Sequence, residues 1–361
     1  MSNFMPPIGA DPPSSTEAIQ PDRAIAALWR RAVAFVVDGI ILFIAATLVA
    51  MPFFETFSRL GSWGPLVGFC FALPYFAILD SSVGSGRTLG KRLVHIQVVG
   101  KEGATISFAK SVIRYTVFAV PYFLNELLLP LTRTPWVVPV LMSIVIFGVG
   151  GATIYLLLFN RHTRQGLHDL SAGSYVAVAD RDGPPKIEPI WGTHWVILGL
   201  TLAVLFLGTG ILGNKITRWG PFPQMLADVR LVEDIEGVQA AGIQDMNQSN
   251  VGSGEKKKIL IINVYWIGES ADKHTFSGSL TGDFKEGWAS KQAFADQVAK
   301  LIIGHDSIVN DHDSLKVVVI RGYNLGIARA QISYFYQHTP AEWNARLFGT
   351  SSAAEPVPSK L

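Results

Sequence analysis

Charge is scarce in this chain: only 16% of its 361 residues are Asp, Glu, Lys or Arg, and mean hydropathy is +0.32. So low a charge density argues against an ordinary water-soluble protein throughout and points to lipid. Excess charge of one sign is also lacking, because 30 basic residues face 28 acidic ones for a net +2. No overall field therefore favours a nucleic acid as partner. Cysteine is almost absent. The lone Cys70 excludes an intrachain disulfide framework, so any aqueous domain must hold itself together by packing.

Residues 1–22 lack a long apolar run and are rich in Pro, Ser and acidic residues, which predicts a disordered N-terminal tail and not a cleaved signal peptide. Between residues 23 and 213 long apolar runs dominate. A bilayer core about 30 Å thick needs roughly 20 apolar residues per helix. Five segments meet that need: Val33–Phe54, Gly61–Leu79, Val112–Leu131, Pro135–Phe159 and Ile190–Gly213. The third carries Arg114, Asn125 and Glu126; the last two hold no Asp, Glu, Lys or Arg. Lys and Arg cluster in alternate connections, thirteen on one side against two, Arg59 and Arg133, on the other. By the positive-inside rule the N-terminus is expected to be cytoplasmic, and five crossings put everything beyond Gly213 outside. That orientation flips if the third segment does not fully cross.

Beyond Pro223 the hydropathy changes, with charges of both signs throughout. Ile259–Ile267, Leu315–Ile320 and Ile327–Tyr336 read as strands, Ser290–Ile303 shows helical spacing, and Gln244–Lys258 reads as a mobile loop. The expected fold is thus a membrane α-helical bundle of about five transmembrane helices followed by a small soluble α+β domain. Its divisions are a tail over 1–22, a membrane domain over 23–180, an additional span over 190–213, an extracytoplasmic domain over 221–345 and a tail over 346–361.

Three polar elements interrupt the apolar runs. Arg31 and Asp38 lie seven residues apart, so a helix brings both to one face about 10 Å apart. A carboxylate within hydrocarbon is costly and is expected to face the bundle or a wet cavity with a partner. It then serves either to exchange protons or to pin helices together. The second element is Gly86-Arg-Thr-Leu-Gly-Lys-Arg-Leu-Val94, followed by a short β-like His95–Val99. The third is Arg164-Gln-Gly-Leu-His-Asp169-Leu-Ser-Ala-Gly-Ser-Tyr-Val176. Together they resemble the RDD family, named for one arginine and two aspartates, over about residues 25–178, with Ser174 where that family usually has Thr. The resemblance implies a bacterial membrane helical bundle that is transport-related, some members being proposed as sodium/proton antiporters. It also implies that Arg31, Asp38 and Asp169 meet at one membrane depth. No family is recognised in the C-terminal domain.

Glu126 is the other acid within a candidate span, either a relay step or, if the span shifts, an interfacial residue. Asp80, beside Ser81 and Ser82, reads as a helix-end residue. Gly84–Lys91 lacks the spacing of a phosphate-binding loop, and the His305, Asp306, Asp311, His312, Asp313 group reads as a solvated connection. No enzyme, metal or cofactor is therefore expected. The expected function is proton- or cation-coupled transport through Arg31, Asp38, Asp169 and Glu126, in a multi-pass protein of the bacterial inner (plasma) membrane. The alternative is a membrane anchor or assembly platform whose C-terminal domain binds an envelope partner. Expected partners are the lipid bilayer, protons or monovalent cations, and an envelope protein or a second copy.

Overall fold

The computed structural model describes residues 23–130, 133–180, 183–185, 187–216, 218–249, 256–267, 284–305 and 307–349. The expected N-terminal tail lies outside the described residues. The first helix, α1 (Leu28–Ala50), continues through a 3-10 turn into α2 (Phe54–Ser58) and is followed by α3 (Gly64–Leu79). A short α4 (Leu89–Leu93) leads to β1 (Ile96–Val99), then to α5 (Phe108–Asn125). Next come α6 (Val137–Ser143), a π-helical stretch (Ile144–Gly150) and α7 (Gly151–Phe159). After α8 (Leu167–Ala172) and β2 (Tyr175–Val178), the long α9 (Gly192–Ile216) leads into the second region.

Among the described residues, three stretches are long and apolar enough to cross a membrane: Leu28–Ser58, Gly61–Leu79 and Val137–Phe159. Their burial pattern suits lipid. In α1 only every fourth residue is buried, Ala34, Asp38, Leu42, Ala46 and Ala50, whereas Phe35, Val36, Ile40, Phe43 and Leu48 stay about half exposed or more. One narrow stripe thus packs on the bundle while the broad remainder is free to meet acyl chains. The α5 helix starts four residues before the expected third span and ends at Asn125, so Glu126 caps its C-terminus and is not inside it.

The short strands β1 and β2 pair antiparallel with Val98 opposite Val176, joining the connection after α3 to the one after α7. Ala26 donates its N–H to the Val176 carbonyl, and the Arg23 side chain reaches Gln97 and the Val178 carbonyl. This clasp holds three chain segments at the end of the bundle where α1 begins and α3 ends.

The C-terminal region contains α10 (Phe222–Glu233), β3 (Val238–Ser249), β4 (Lys256–Trp266), α11 (Phe284–His305), β5 (Ser314–Asn324), β6 (Arg329–His338) and α12 (Pro340–Phe348). Its sheet has the order β3-β4-β5-β6, with β4 and β5 parallel across the α11 crossover and the outer pairs antiparallel. One sheet face packs Leu260, Ile262, Val264, Val317 and Val319 against Val298, Ile302 and Trp343. Of the stretch expected as a mobile loop, Gln244–Lys258, residues 244–249 and 256–258 are paired residues of β3 and β4, with Met246 opposite Ile259, and residues 250–255 lie outside the described residues. β3 is an edge strand, so polar side chains are compatible with it, and composition alone misleads there. The expected C-terminal tail begins too early: α12 runs to Phe348, with a capping box at Thr339 and Glu342 and with Arg346 bound to Asp296 at 2.8 and 2.9 Å. The remainder of that tail lies outside the described residues.

Candidate functional site: a buried charge chain and a separate carboxylate

The site forms where α1 begins and where α3, α4, α5 and α8 converge. Arg114, one third of the way along α5, points its guanidinium at two acids, donating from Nε to Asp169 at 2.9 Å and from Nη1 to Asp80 at 2.6 Å. Asp80 takes two further bonds from the Lys91 ammonium at 2.6 and 2.8 Å. Asp169 takes another from Arg31 Nη1 at 3.2 Å, and the same nitrogen reaches the Arg164 carbonyl at 2.6 Å. Arg31, Asp169, Arg114, Asp80 and Lys91 therefore form one alternating chain of charges, and no member's side chain is more than 11% exposed. Buried charges survive only when paired in this way, since removing a partner leaves an uncompensated ion.

Asp38 is close by but is held differently. Oδ1 accepts from the Tyr75 hydroxyl at 2.6 Å and the Gly90 N–H at 2.8 Å, and Oδ2 accepts from the Thr88 hydroxyl at 2.6 Å. All three donors are neutral. The Gly-Arg-Thr-Leu-Gly-Lys-Arg segment thereby acquires a physical reason. Thr88 caps α4, Lys91 reaches Asp80, and Gly90 lets α4 approach α1 so closely that a Cβ there would lie 2.2 Å from the Ala34 carbonyl oxygen.

Burial drives His168 down to about 4, against the Asp169 charge that favours its protonation, so the imidazole is neutral at physiological pH. Burial pushes the Asp169 carboxyl up, but its neighbours His168, Arg114 and Arg31 outweigh that and hold it well below the usual carboxylate range. With His168 neutral, the two guanidiniums carry the effect. Lys91 is lowered by burial, which the Asp80 charge opposes. A cavity of about 240 Å³ opens among these groups, lined by Arg31, Asp38, Asp80, Lys91, Arg114 and His168 together with apolar residues of α1 and α5. Arg31 Nε and His168 Nδ1 are buried there without a hydrogen-bond partner among the described residues.

Arg31, Asp38 and Asp169 thus gather at one buried site, although Asp38 bonds to neither of the other two. Glu126 does not join them. It sits at the opposite end of α5, where its Oε2 accepts from Asn324 at 2.8 Å and from Arg329. Sequence reasoning missed Arg114, Asp80 and Lys91. A cation within a candidate span and an acid at the end of another were the available signals, each explained by the other. Of the histidine and aspartate group near 305–313, His305 meets Asp228 at 2.9 Å, His312 meets Asp245 at 3.3 Å and Asp313 accepts from the Lys258 N–H, while Asp306 lies outside the described residues. Among the described residues no group of three or more His, Cys, Asp or Glu is placed to hold a metal.

An apolar-coated helical bundle with its charges gathered at one buried site is a membrane-embedded unit. Residues 25–173 match the family model described as RDD family, and this part of the chain is an RDD-family domain. No curated protein and no solved structure matches the chain.

Proposed function

We propose that the RDD domain handles a proton or monovalent cation, with Asp38 as the exchanging carboxylate and the Arg31–Asp169–Arg114–Asp80–Lys91 chain as a fixed frame. One observation carries this reading: Asp38 borders the cavity with only neutral donors upon it, whereas Asp80 and Asp169 are each locked between two cations. A carboxylate held by hydroxyls and one amide can take up a proton, or share its oxygens with a cation, without stranding a buried partner ion. Five helices cross the inner membrane in this reading, α5 and α9 completing the set, with the charged end cytoplasmic and the sheet domain outside. No covalent chemistry is assigned.

The outer end is closed. The turn between β5 and β6 seats against α3 and α5, with Leu325 and Ile327 packed among residues of both bodies and the Tyr122 hydroxyl donating to the Gly326 carbonyl at 2.7 Å. The small residues Gly64 and Gly68 make room for it; a Cβ on Gly68 would lie 1.7 Å from the Leu325 oxygen. Movement of a substrate through the bundle therefore requires this hairpin to lift. The same docking also supports the second reading, a platform on which the bundle anchors the sheet domain for an envelope partner.

Cation-dependent proton movement in proteoliposomes separates the two. Transport predicts a robust wild-type signal that Asp38→Asn abolishes at matched levels of folded protein. Absence of a wild-type signal with every monovalent cation tested moves the assignment to the platform.

A further inference from the structure

The connection between α3 and β1 dips to the level of the membrane-facing part of α1. A Cβ on Gly90 would lie 2.2 Å from the Ala34 carbonyl oxygen and 3.0 Å from the Asp38 carboxyl carbon, so α4 packs beside α1 between those two residues. At about 1.5 Å per residue, that contact begins about 9 Å along α1 from Leu28 and past Arg30 and Arg31. The large side chains of α1 that stay exposed at this level are Val33, Phe35, Val36 and Ile40. They belong to the surface that is free to meet acyl chains, so α4 lies at the edge of the hydrocarbon layer.

The short helix has two unlike faces. Gly90 and Lys91 are buried and bound to Asp38 and Asp80. Leu89 and Leu93, one turn apart, point outward and are 45% and 64% exposed. Arg92 is exposed beside Leu93, and its Nε donates to the Arg87 carbonyl at 3.3 Å, which folds the guanidinium back alongside residue 87. Neither Arg87 nor Arg92 has a carboxylate partner among the described residues, whereas the adjacent Lys91 is fully paired. A guanidinium at the edge of hydrocarbon needs a counter-ion, and the phosphodiesters of the headgroup layer match its planar fork. Aliphatic side chains facing outward next to basic ones are the pattern of a helix lying in that layer. A zwitterionic headgroup would bring a cation towards two unpaired arginines, so charge complementarity favours an anionic lipid.

We propose that Arg87 and Arg92 hold the phosphodiester of one anionic phospholipid, with Leu89 and Leu93 against its acyl chains. The lipid braces the segment that gives Asp38 two of its three donors, the Thr88 hydroxyl and the Gly90 N–H. The proposal rests on the membrane-embedded bundle and not on the exchange reading. The test is native mass spectrometry of the full chain in a non-ionic detergent, titrated with phosphatidylglycerol or with phosphatidylcholine of the same acyl chains. The expected result is tighter binding of phosphatidylglycerol, a preference that Arg92→Gln cuts about fivefold and Arg87→Gln cuts again by as much. Should the half-buried Arg87 prove necessary for folding, Arg92→Gln alone carries the same requirement. Lys101→Gln removes a like charge from the exposed turn beyond β1 and should leave the preference unchanged. An equal loss there would reveal only the general positive field of this end and would overturn the proposal. Glycerophosphate, which has the phosphate without the chains, should not displace the lipid at matched concentration; displacement would make this a soluble-phosphate site and overturn it too. So would equal binding of the two lipids by the wild type, or a preference that Arg92→Gln leaves intact.

Discussion

At the end of the bundle where α1 begins, the inner end of the proposed orientation, Asp80 and Asp169 have side chains 3% and 0% exposed, and each is held by two cations. At the opposite end, the outer one in that orientation, Arg329 and Glu55 are 56% and 43% exposed, and each meets a single ionic partner among the described residues, Glu126 and Arg321 respectively. Water screens the outer pairs, so each contributes little, about 0–1 kcal/mol. The inner chain has no such screening. Removing any one member takes an ionic bond from at least one buried neighbour in a low-dielectric site. Charges of the same kind thus fix the fold at one end and tune a contact between two bodies at the other.

The sharpest way to break this contrast is Arg114→Ala, which takes one of two cations from each of two buried acids at once. We expect a loss of about 3–5 kcal/mol or of the folded protein altogether, read as yield and thermal midpoint in detergent. Preserved stability would mean that the chain of charges is wet. Next in size is Gly68→Val, which forces a side chain into the space of the Leu325 carbonyl. Its effect should be confined to the outer end: the β5–β6 turn becomes cleavable by protease while the inner clasp stays protected.

Asp38→Asn keeps the shape of the side chain but sets an amide NH₂ against at least one neutral donor. Its stability should fall by about 1–3 kcal/mol, less than for Arg114→Ala, and on the proposed exchange reading flux is lost entirely. A pH scan sharpens the comparison further. His168 stays neutral in the folded state down to about 4, whereas an unfolded histidine protonates near about 6.5. Between those values the unfolded chain binds the extra proton, so the thermal midpoint should fall as pH drops from about 6.5 towards 4. His168→Phe should flatten that slope. The depressed Asp169 carboxyl adds its own loss only below about pH 4, where the unfolded acid begins to protonate. The smallest effect belongs to Arg329→Ala at the outer seam, about 1 kcal/mol or less by thermal midpoint.

The sequence foretold the inner site in part. Arg31 and Asp38 were legible because a helix repeats every 3.6 residues and both interrupt one apolar stripe. Their actual partners were not legible, because they lie far along the chain: Tyr75, Thr88 and Gly90 for Asp38, and Asp169 and the Thr163, Arg164 and Val176 carbonyls for Arg31. Arg114 looked like a blemish in a span and proved to be the shared centre of the network. Of the two readings of Glu126, the helix bounds favour the one at the end of the span: α5 begins four residues early, and a shift of one turn moves an acid from the bundle interior to its end. In the sheet domain, alternation and β-branching exposed β4, β5 and β6, whereas the polar edge strand β3 carries no such signature.

The inner groups have a further consequence in their arithmetic. Three cations, Arg31, Lys91 and Arg114, stand with three acids, Asp38, Asp80 and Asp169, in one compact region. Moving an elementary charge through the full membrane potential is worth about 2.3 kcal/mol per 100 mV. A rigid shift of a neutral sextet does almost no such work, so voltage has no grip on the framework itself. In the proposed exchange, uptake of a proton or a cation by Asp38 changes the net charge of the region, and on that reading the electrical signature of the exchange belongs to that step.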